Sequence, residues 1–187
     1  MATIKNRYAK DGPAKLALSL GRTRYGVSDK ASRMELYRWP FKPLDYDISQ
    51  LDLGYLAGII DGEGSIFMRT NQGYCRLEIS ISNTDRQMVE RIRTIIGQGY
   101  IRRKGATRIR RPVYEFVLGG VARVYGLLRV LEPHLTTKRS VALIALEYCE
   151  WRFKQKENSQ VSDVALSFQT RMRAYYTKGP RHPKRLT

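Results

Sequence analysis

Cysteine is scarce. Cys75 and Cys149 are the only two, and neither sits in a Cys-x-x-Cys pair, so neither a zinc cluster nor a disulfide framework is supported. Long apolar runs are missing as well. None approaches the roughly 20 residues needed to cross a bilayer, and the N-terminus carries no signal-peptide pattern. The expectation is a soluble, intracellular protein with no membrane partner. Acidic residues are few, 17 against 34 Lys and Arg, which leaves a net charge of +17 and a pI near 10.2. Such a charge opposes self-association unless something offsets it, and it favours a polyanionic partner. Nucleic acid is the leading one. A basic surface that merely aids solubility is the plainer reading, and an anionic membrane the poorer one. No internal repeat is visible. What is present is a chain of 187 residues, 42% hydrophobic, long enough to bury one sizeable core with appendages.

The most informative stretch is Leu53-Gly54-Tyr55-Leu56-Ala57-Gly58-Ile59-Ile60-Asp61-Gly62-Glu63-Gly64. It reads as a short helix running into a carboxylate. Gly54, Gly58 and Gly62 are spaced by four and share a face. A bare face lets two helix backbones approach closely. Glycine inside a helix costs up to about 1 kcal/mol relative to alanine, so three of them need a packing reason. Asp61 and Glu63 lie at the negative end of the helix dipole, where acids are unfavourable. An acid placed against stability is a candidate metal ligand.

Around this stretch the chain reads in order. Residues 1–50 form a basic extension with ten Lys/Arg against five Asp/Glu and with Gly12-Pro13, Pro40 and Pro43 as breaks. Short helices are predicted over 15–20 and 32–39, the second capped by Ser32. Trp39, Phe41 and Tyr46 are expected to dock part of the extension on the main body. The extension is either an arm along a nucleic-acid backbone or a loose basic segment. Residues 65–70 read as a strand and Asn71-Gln72-Gly73 as a hairpin turn. Residues 74–82 alternate, with Cys75, Leu77, Ile79 and Ile81 on one face and Tyr74, Arg76, Glu78, Ser80 and Ser82 on the other. Asn83-Thr84-Asp85 caps a helix that Gly97 ends. Strands over 99–103 and 113–118 flank a basic loop, 104–112. Helices follow over 121–131, 137–154 and 162–176, then a basic tail, 178–187, expected to be loose.

Leu56 to Gly64, LAGIIDGEG, resembles the signature of the LAGLIDADG homing endonucleases. Ile59 is apolar for apolar, Gly62 small for small, and Glu63 acid for acid. The resemblance covers about residues 51–154, between the extension (1–50) and a C-terminal helix with its tail (155–187). It implies an α+β fold, an αββαββα core whose four strands form a curved antiparallel sheet that lies in the DNA major groove. One signature per chain implies a homodimer, with Gly54, Ala57, Gly58 and Asp61 at the interface and a near-palindromic double-stranded DNA site. In such a dimer the two Glu63 carboxylates would repel unless a cation sits by them. Mg²⁺, or a similar ion such as Mn²⁺, suits hard oxygen ligands. The resemblance assigns the metal to Glu63 and the Gly62 carbonyl. It implies hydrolysis of one phosphodiester per strand, cut across the minor groove to leave 3′ overhangs.

Two more positions carry over. Asn83 matches the Gln or Asn that positions water at the end of the second strand, although a plain helix cap accounts for it too. Lys138 follows the L-x-P-x-L segment Leu131-Glu132-Pro133-His134-Leu135. It could stabilise charge at the scissile phosphate, or be a solvated lysine at a helix start. Asp61 matches the first signature acid, which serves helix packing. His134 is read as a surface or packing residue. DNA reading is expected from Ser65, Phe67, Arg69, Arg76, Glu78, Ser80, Arg102, Lys104, Val113 and Glu115 on the polar sheet face. Arg103, Arg108, Arg110 and Arg111 suit phosphates, which position without specifying. Any of these could be only a solvated charge. The leading function is a site-specific, Mg²⁺-dependent DNA endonuclease. The alternatives are a maturase bound to its intron RNA and a non-catalytic DNA-binding regulator.

Overall fold

Helix α3 (Gln50–Glu63) opens the larger of two compact units, which divide after Phe41. The computed structural model describes residues 2–34, 44–71, 74–105, 111–155 and 162–177. Ser49 caps α3. Its Oγ accepts from the Asp52 amide at 3.2 Å and donates to the Asp52 carboxylate at 2.8 Å, the pairing that Ser at an N-cap favours. Leu53, Leu56, Ala57 and Ile60 turn inward. The helix ends abruptly at Gly64, whose N–H bonds the carbonyls of Ile59 and Ile60. A Cβ there would lie 2.7 Å from the Ile60 oxygen, so only glycine allows the chain to pass straight from helix into strand.

The chain then builds β1 (Gly64–Asn71), β2 (Tyr74–Asn83), α4 (Arg86–Ile96), β3 (Tyr100–Lys104), β4 (Val113–Gly119), α5 (Val121–Leu131), a 3₁₀ turn (Glu132–His134), α6 (Arg139–Lys154) and α7 (Asp163–Thr177). The four strands form one antiparallel sheet in the order β1-β2-β4-β3. The strand alternation holds. Ile66, Met68, Cys75, Leu77, Ile79, Ile81, Phe116 and Leu118 are all buried on one face, in the same core as α3, α4, α5, α6 and α7. The αββαββα order expected of residues 51–154 is present.

Local signals account for several boundaries. The Asp85 carboxylate accepts from the amides of Gln87 (2.8 Å) and Met88 (3.3 Å), and Gly97 at φ 67° ends α4 in the left-handed conformation that glycine adopts freely. In the entry segment, Leu44 donates its amide to the Ala122 carbonyl at 3.2 Å and Tyr46 packs on the core. A side chain at Gly126 would collide with the Leu44 carbonyl, so α5 needs glycine where this segment crosses it. Tyr46 thus docks as expected, while Trp39, Phe41 and the turn residues Gln72 and Gly73 lie outside the described residues.

α7 closes the free edge of the sheet. The Tyr176 hydroxyl accepts from the Ile66 amide at 2.9 Å and donates to the Ile66 carbonyl at 3.0 Å. Gln169 Nε2 donates to the Met68 carbonyl at 3.0 Å, and Thr70 donates to Gln169 Oε1 at 3.2 Å. Unpaired strand edges invite pairing with other chains, and these side chains occupy that edge.

The smaller unit is helical: α1 (Ala2–Leu20) and α2 (Arg24–Arg33). Two expectations are corrected here. Gly12-Pro13 does not break the chain but lies inside α1, which runs far beyond residues 15–20. Ser32 is not a cap, because it falls in the last turn of α2. Thr23 is the cap, its Oγ1 accepting from the Gly26 amide at 3.0 Å.

Candidate active site and nucleic-acid interface

The end of α3 meets the start of α6. The Asp61 carboxylate accepts from the amides of Thr136 (2.7 Å) and Lys138 (2.8 Å). Lys138 Nζ donates back to the Asp61 carbonyl at 2.6 Å. An acid misplaced on its own helix is therefore well placed at the N-terminus of another, where free amides and the positive dipole end welcome it. Partial burial pushes the Asp61 carboxyl up, but the amides of Thr136, Lys138 and Thr137 outweigh that and hold it below the ordinary range. The Asp61 carboxylate is thus occupied within the protomer.

Lys138 is only 8% exposed, although it begins a helix. Burial draws its pKa down, and the charges of Asp61 and Glu63 offset part of that. Glu63 is exposed one turn-end away, with Gly62 beside it. Lys138, Glu63 and Gly62 line an open cleft of about 840 Å³ with Gly64, Ser65, Thr137, Ile144, Arg171, Ala174, Tyr175 and Tyr176. The Tyr175 hydroxyl donates to the Thr137 carbonyl and so braces the turn that carries Lys138. Tyr175, Tyr176 and Arg171 of α7 were not among the predicted site residues. Nothing in the sequence near them signals it, because only the return of α7 to β1 brings them here.

Among the described residues, no three His, Cys, Asp or Glu side chains cluster as a metal site within the chain. The oxygen donors at the end of α3 are one free carboxylate and main-chain carbonyls. That set suits Mg²⁺, which is usually held by one or two carboxylates with water and substrate phosphate completing its shell.

Asn83 sits at the end of β2, where its Oδ1 accepts from the Asp85 amide at 2.9 Å. In this structure it shapes the turn into α4.

α3 presents a bare stripe. Gly54, Gly58 and Gly62 are exposed, and a Cβ on any of them would meet nothing within 4 Å. Leu51 on the same stripe is 80% exposed. Ala57 is not part of it. It is 3% exposed and packs in the protomer's own core, which corrects its assignment to an interface.

The second sheet face carries Ser65, Phe67 and Arg69 opposite Ser80, Glu78 and Arg76, with Ser82 opposite Glu115 and Glu115 opposite Arg102. Most of its charges are organised in pairs. Arg69 Nε lies 3.2 Å from Glu78 and its guanidinium 4.9 Å from the Phe67 ring. Glu115 is bonded by Arg102 and by Lys104, the latter at 2.8 Å. Burial raises the Glu115 pKa, and its two cationic partners more than reverse that. Ser80 and Glu115 are 7% and 3% exposed, so neither presents the open side chain expected of a base-reading group. Arg76 is exposed on this face, and Arg103 belongs to the opposite one. Arg111 is exposed just before β4, and Arg108 and Arg110 lie outside the described residues.

An αββαββα unit with one LAGLIDADG-like helix, an acid at that helix's end and a cationic sheet face defines a class of protein. No family model matches the chain. It is 27% identical over 113 residues to the DNA endonuclease I-CreI of Chlamydomonas reinhardtii, an alignment covering 56% of this chain and 66% of that protein. In structure it is similar to the homing endonuclease I-CvuI in complex with the I-CreI target (TM-score 0.56, 21% identity, 71% of this chain and 87% of that one). It is also similar to the meganuclease I-SmaMI bound to uncleaveable DNA (TM-score 0.53, 20% identity, 70% and 46%). In its signature stretch and in its fold the chain is similar to the LAGLIDADG homing endonucleases, and it carries one copy of that signature. The match spans just under two thirds of that curated relative's length. No helix among the described residues is long and apolar enough to cross a membrane.

Proposed function

We propose that this protein is a site-specific double-strand DNA endonuclease that acts as a homodimer with a divalent cation, Mg²⁺ or Mn²⁺. The observation that carries the reading is the junction of α3 and α6. It exposes Glu63 at the end of the signature helix and pins the ammonium of Lys138 beside it, 2.6 Å from the Asp61 carbonyl. The relative I-CreI is a DNA endonuclease, and I-CvuI was crystallised with DNA targets in the presence of Mg or Ca.

Each residue has a defined part. Glu63 and the Gly62 carbonyl hold the cation, which when bound supplies charge stabilisation and an acidified water for phosphodiester hydrolysis. Lys138 presents a positive charge to the phosphate from a partly dry site, where it is worth more than in water. Asp61 and Tyr175 keep the Lys138 turn in place. Asn83 positions water at the end of β2. Arg69, Arg76, Arg102 and Lys104 reach base edges, with Glu78 and Glu115 orienting them. Arg111, exposed just before β4, meets a phosphate.

The homodimer follows from the bare stripe of α3. Three helix glycines that their own fold does not require are explained by a second backbone packed against them. One carboxylate per chain also asks for a second copy to complete the site. DNA offsets the repulsion between two strongly basic subunits.

The test is incubation of the purified chain with a duplex library and Mg²⁺. The expected result is defined double-strand cuts that disappear in EDTA and in Glu63→Gln, with DNA binding retained by that variant. Binding without cutting would favour a regulator. Selective intron-RNA binding would favour a maturase.

A further inference from the structure

The unit formed by α1 and α2 has a geometry of its own. Residues 2–34 hold eight Lys/Arg against two Asp/Glu. The two helices are joined by Gly21-Arg22-Thr23, and both sides of that turn are fixed. Gly21 is left-handed at φ 58°, and the Arg22 amide bonds the Ala17 carbonyl at 3.0 Å, the Schellman closure of a helix end. Thr23 then caps α2 through both its hydroxyl and its carbonyl. Leu16, Ala17 and Val27 are buried between the helices, with Tyr8 and Leu20 packed on them. Ala31, one turn beyond Val27, is also buried.

Burial of Val27 and Ala31 fixes which side of α2 faces out. Opposite them lie Tyr25, which is 84% exposed, and Asp29. Arg22 and Arg24 are exposed at the start of α2, and neither forms an ion pair among the described residues. The two acids are already engaged, Asp11 with Arg7 and Lys15, and Asp29 with Arg33. An outward face so polar is unsuited to packing on another protein's apolar surface.

We propose that α1 and α2 form a helix-turn-helix that docks on duplex DNA, with α2 entering the major groove. A three-residue turn containing glycine is the connection found in helix-turn-helix units, whose second helix reads the groove. The unpaired cations at the start of α2 meet phosphates. Tyr25 and the Arg33-held Asp29 point at base edges, where a carboxylate accepts from a cytosine amino group. A duplex fits better than folded RNA, whose deep and narrow major groove excludes a helix. The inference rests on the duplex-DNA reading of the sheet only for where the central contacts fall. The protein therefore carries two DNA-reading elements rather than one, and its target extends past the stretch the sheet covers.

The test uses the full chain and the variant carrying Arg24→Glu and Tyr25→Ala, both surface positions. Each protein selects from a randomised 60-bp duplex library in EDTA, and circular dichroism confirms matching folds. In each half-site of the near-palindromic target, the wild type is expected to enrich two separated sequence blocks. The variant is expected to enrich one, to bind about 10-fold more weakly, and to show a salt dependence of binding shallower by about one. Enrichment of a single block by the wild type, or of both by the variant, overturns the proposal. So does a structured RNA hairpin that displaces DNA from the wild type but not from the variant. Cutting of the selected duplexes after Mg²⁺ is added reports separately on the endonuclease reading, so either can fail alone.

Discussion

Asp61 and Lys138 hold each other by reciprocal contacts, carboxylate to amide at 2.8 Å and ammonium to carbonyl at 2.6 Å. Asp61 thereby joins the end of α3 to the start of α6, and Lys138 is placed without needing a substrate to order it. Asp61→Ala leaves the Thr136 and Lys138 amides without their acceptor and is expected to cost about 1–3 kcal/mol in urea unfolding. Lys138→Met removes the charge together with the hydrogen bond from Nζ to the Asp61 carbonyl. DNA affinity should stay within a few-fold while single-turnover cleavage falls by about 10²–10³.

Gly58→Leu separates packing within the protomer from packing between protomers. A Cβ at this position meets nothing within 4 Å in the protomer, and loss of a helix glycine favours α3 by up to about 1 kcal/mol. The subunit is expected to remain folded, with unchanged or slightly higher thermal stability. Sedimentation should show loss of the dimer on DNA, and double-strand cutting should disappear with it. A dimer that survives this change would place the interface elsewhere.

Glu115 links stability to pH. Its pKa is depressed in the folded protein, chiefly by Arg102 and Lys104 working against burial. A depressed carboxyl contributes stability that is present above its unfolded pKa, about 4.3, and is lost as pH falls through the lower folded value. Glu115→Gln should be less stable than the wild type near pH 7, by about 1 kcal/mol because Arg102 and Lys104 are solvent-screened. The difference between the two should shrink steadily below about pH 4. Paired thermal melts across pH 2 to 7, taken at roughly half-unit steps, follow it.

Tyr176 contributes one oxygen to two main-chain groups of the edge strand. Tyr176→Phe should cost about 1–2 kcal/mol. Faster amide exchange at Ile66, with little change at Ile79 on the neighbouring strand, would locate the loss at the edge. Uniform acceleration across the sheet would argue against this local role.

Much of the larger unit is legible in its residues. The alternation of Cys75, Leu77, Ile79 and Ile81, the Asp85 cap, the Gly97 stop and the run of LAGIIDGEG into a strand all act within a few residues of themselves. What they determine is element type, boundaries and which face of β2 turns inward. The same local logic misreads Gly12-Pro13 as a break and Ser32 as a cap, because the burial of Leu16 against Val27 outweighs local preference in α1 and α2.

Tertiary structure alone decided the rest. Asp61 is unfavourable by the dipole of its own helix and favourable by that of α6, a partner far along the chain. Ala57 shares the small side chains of the glycine stripe yet turns into the core. Ser80 and Glu115 alternate as surface residues do, yet both are buried, Glu115 beneath the side chains of Arg102 and Lys104. Tyr175 and Tyr176 reach the cleft only because α7 returns to the edge of β1. Sequence order carries short-range hydrogen bonding and periodicity, whereas desolvation and charge pairing depend on which distant atoms packing brings within a few ångströms.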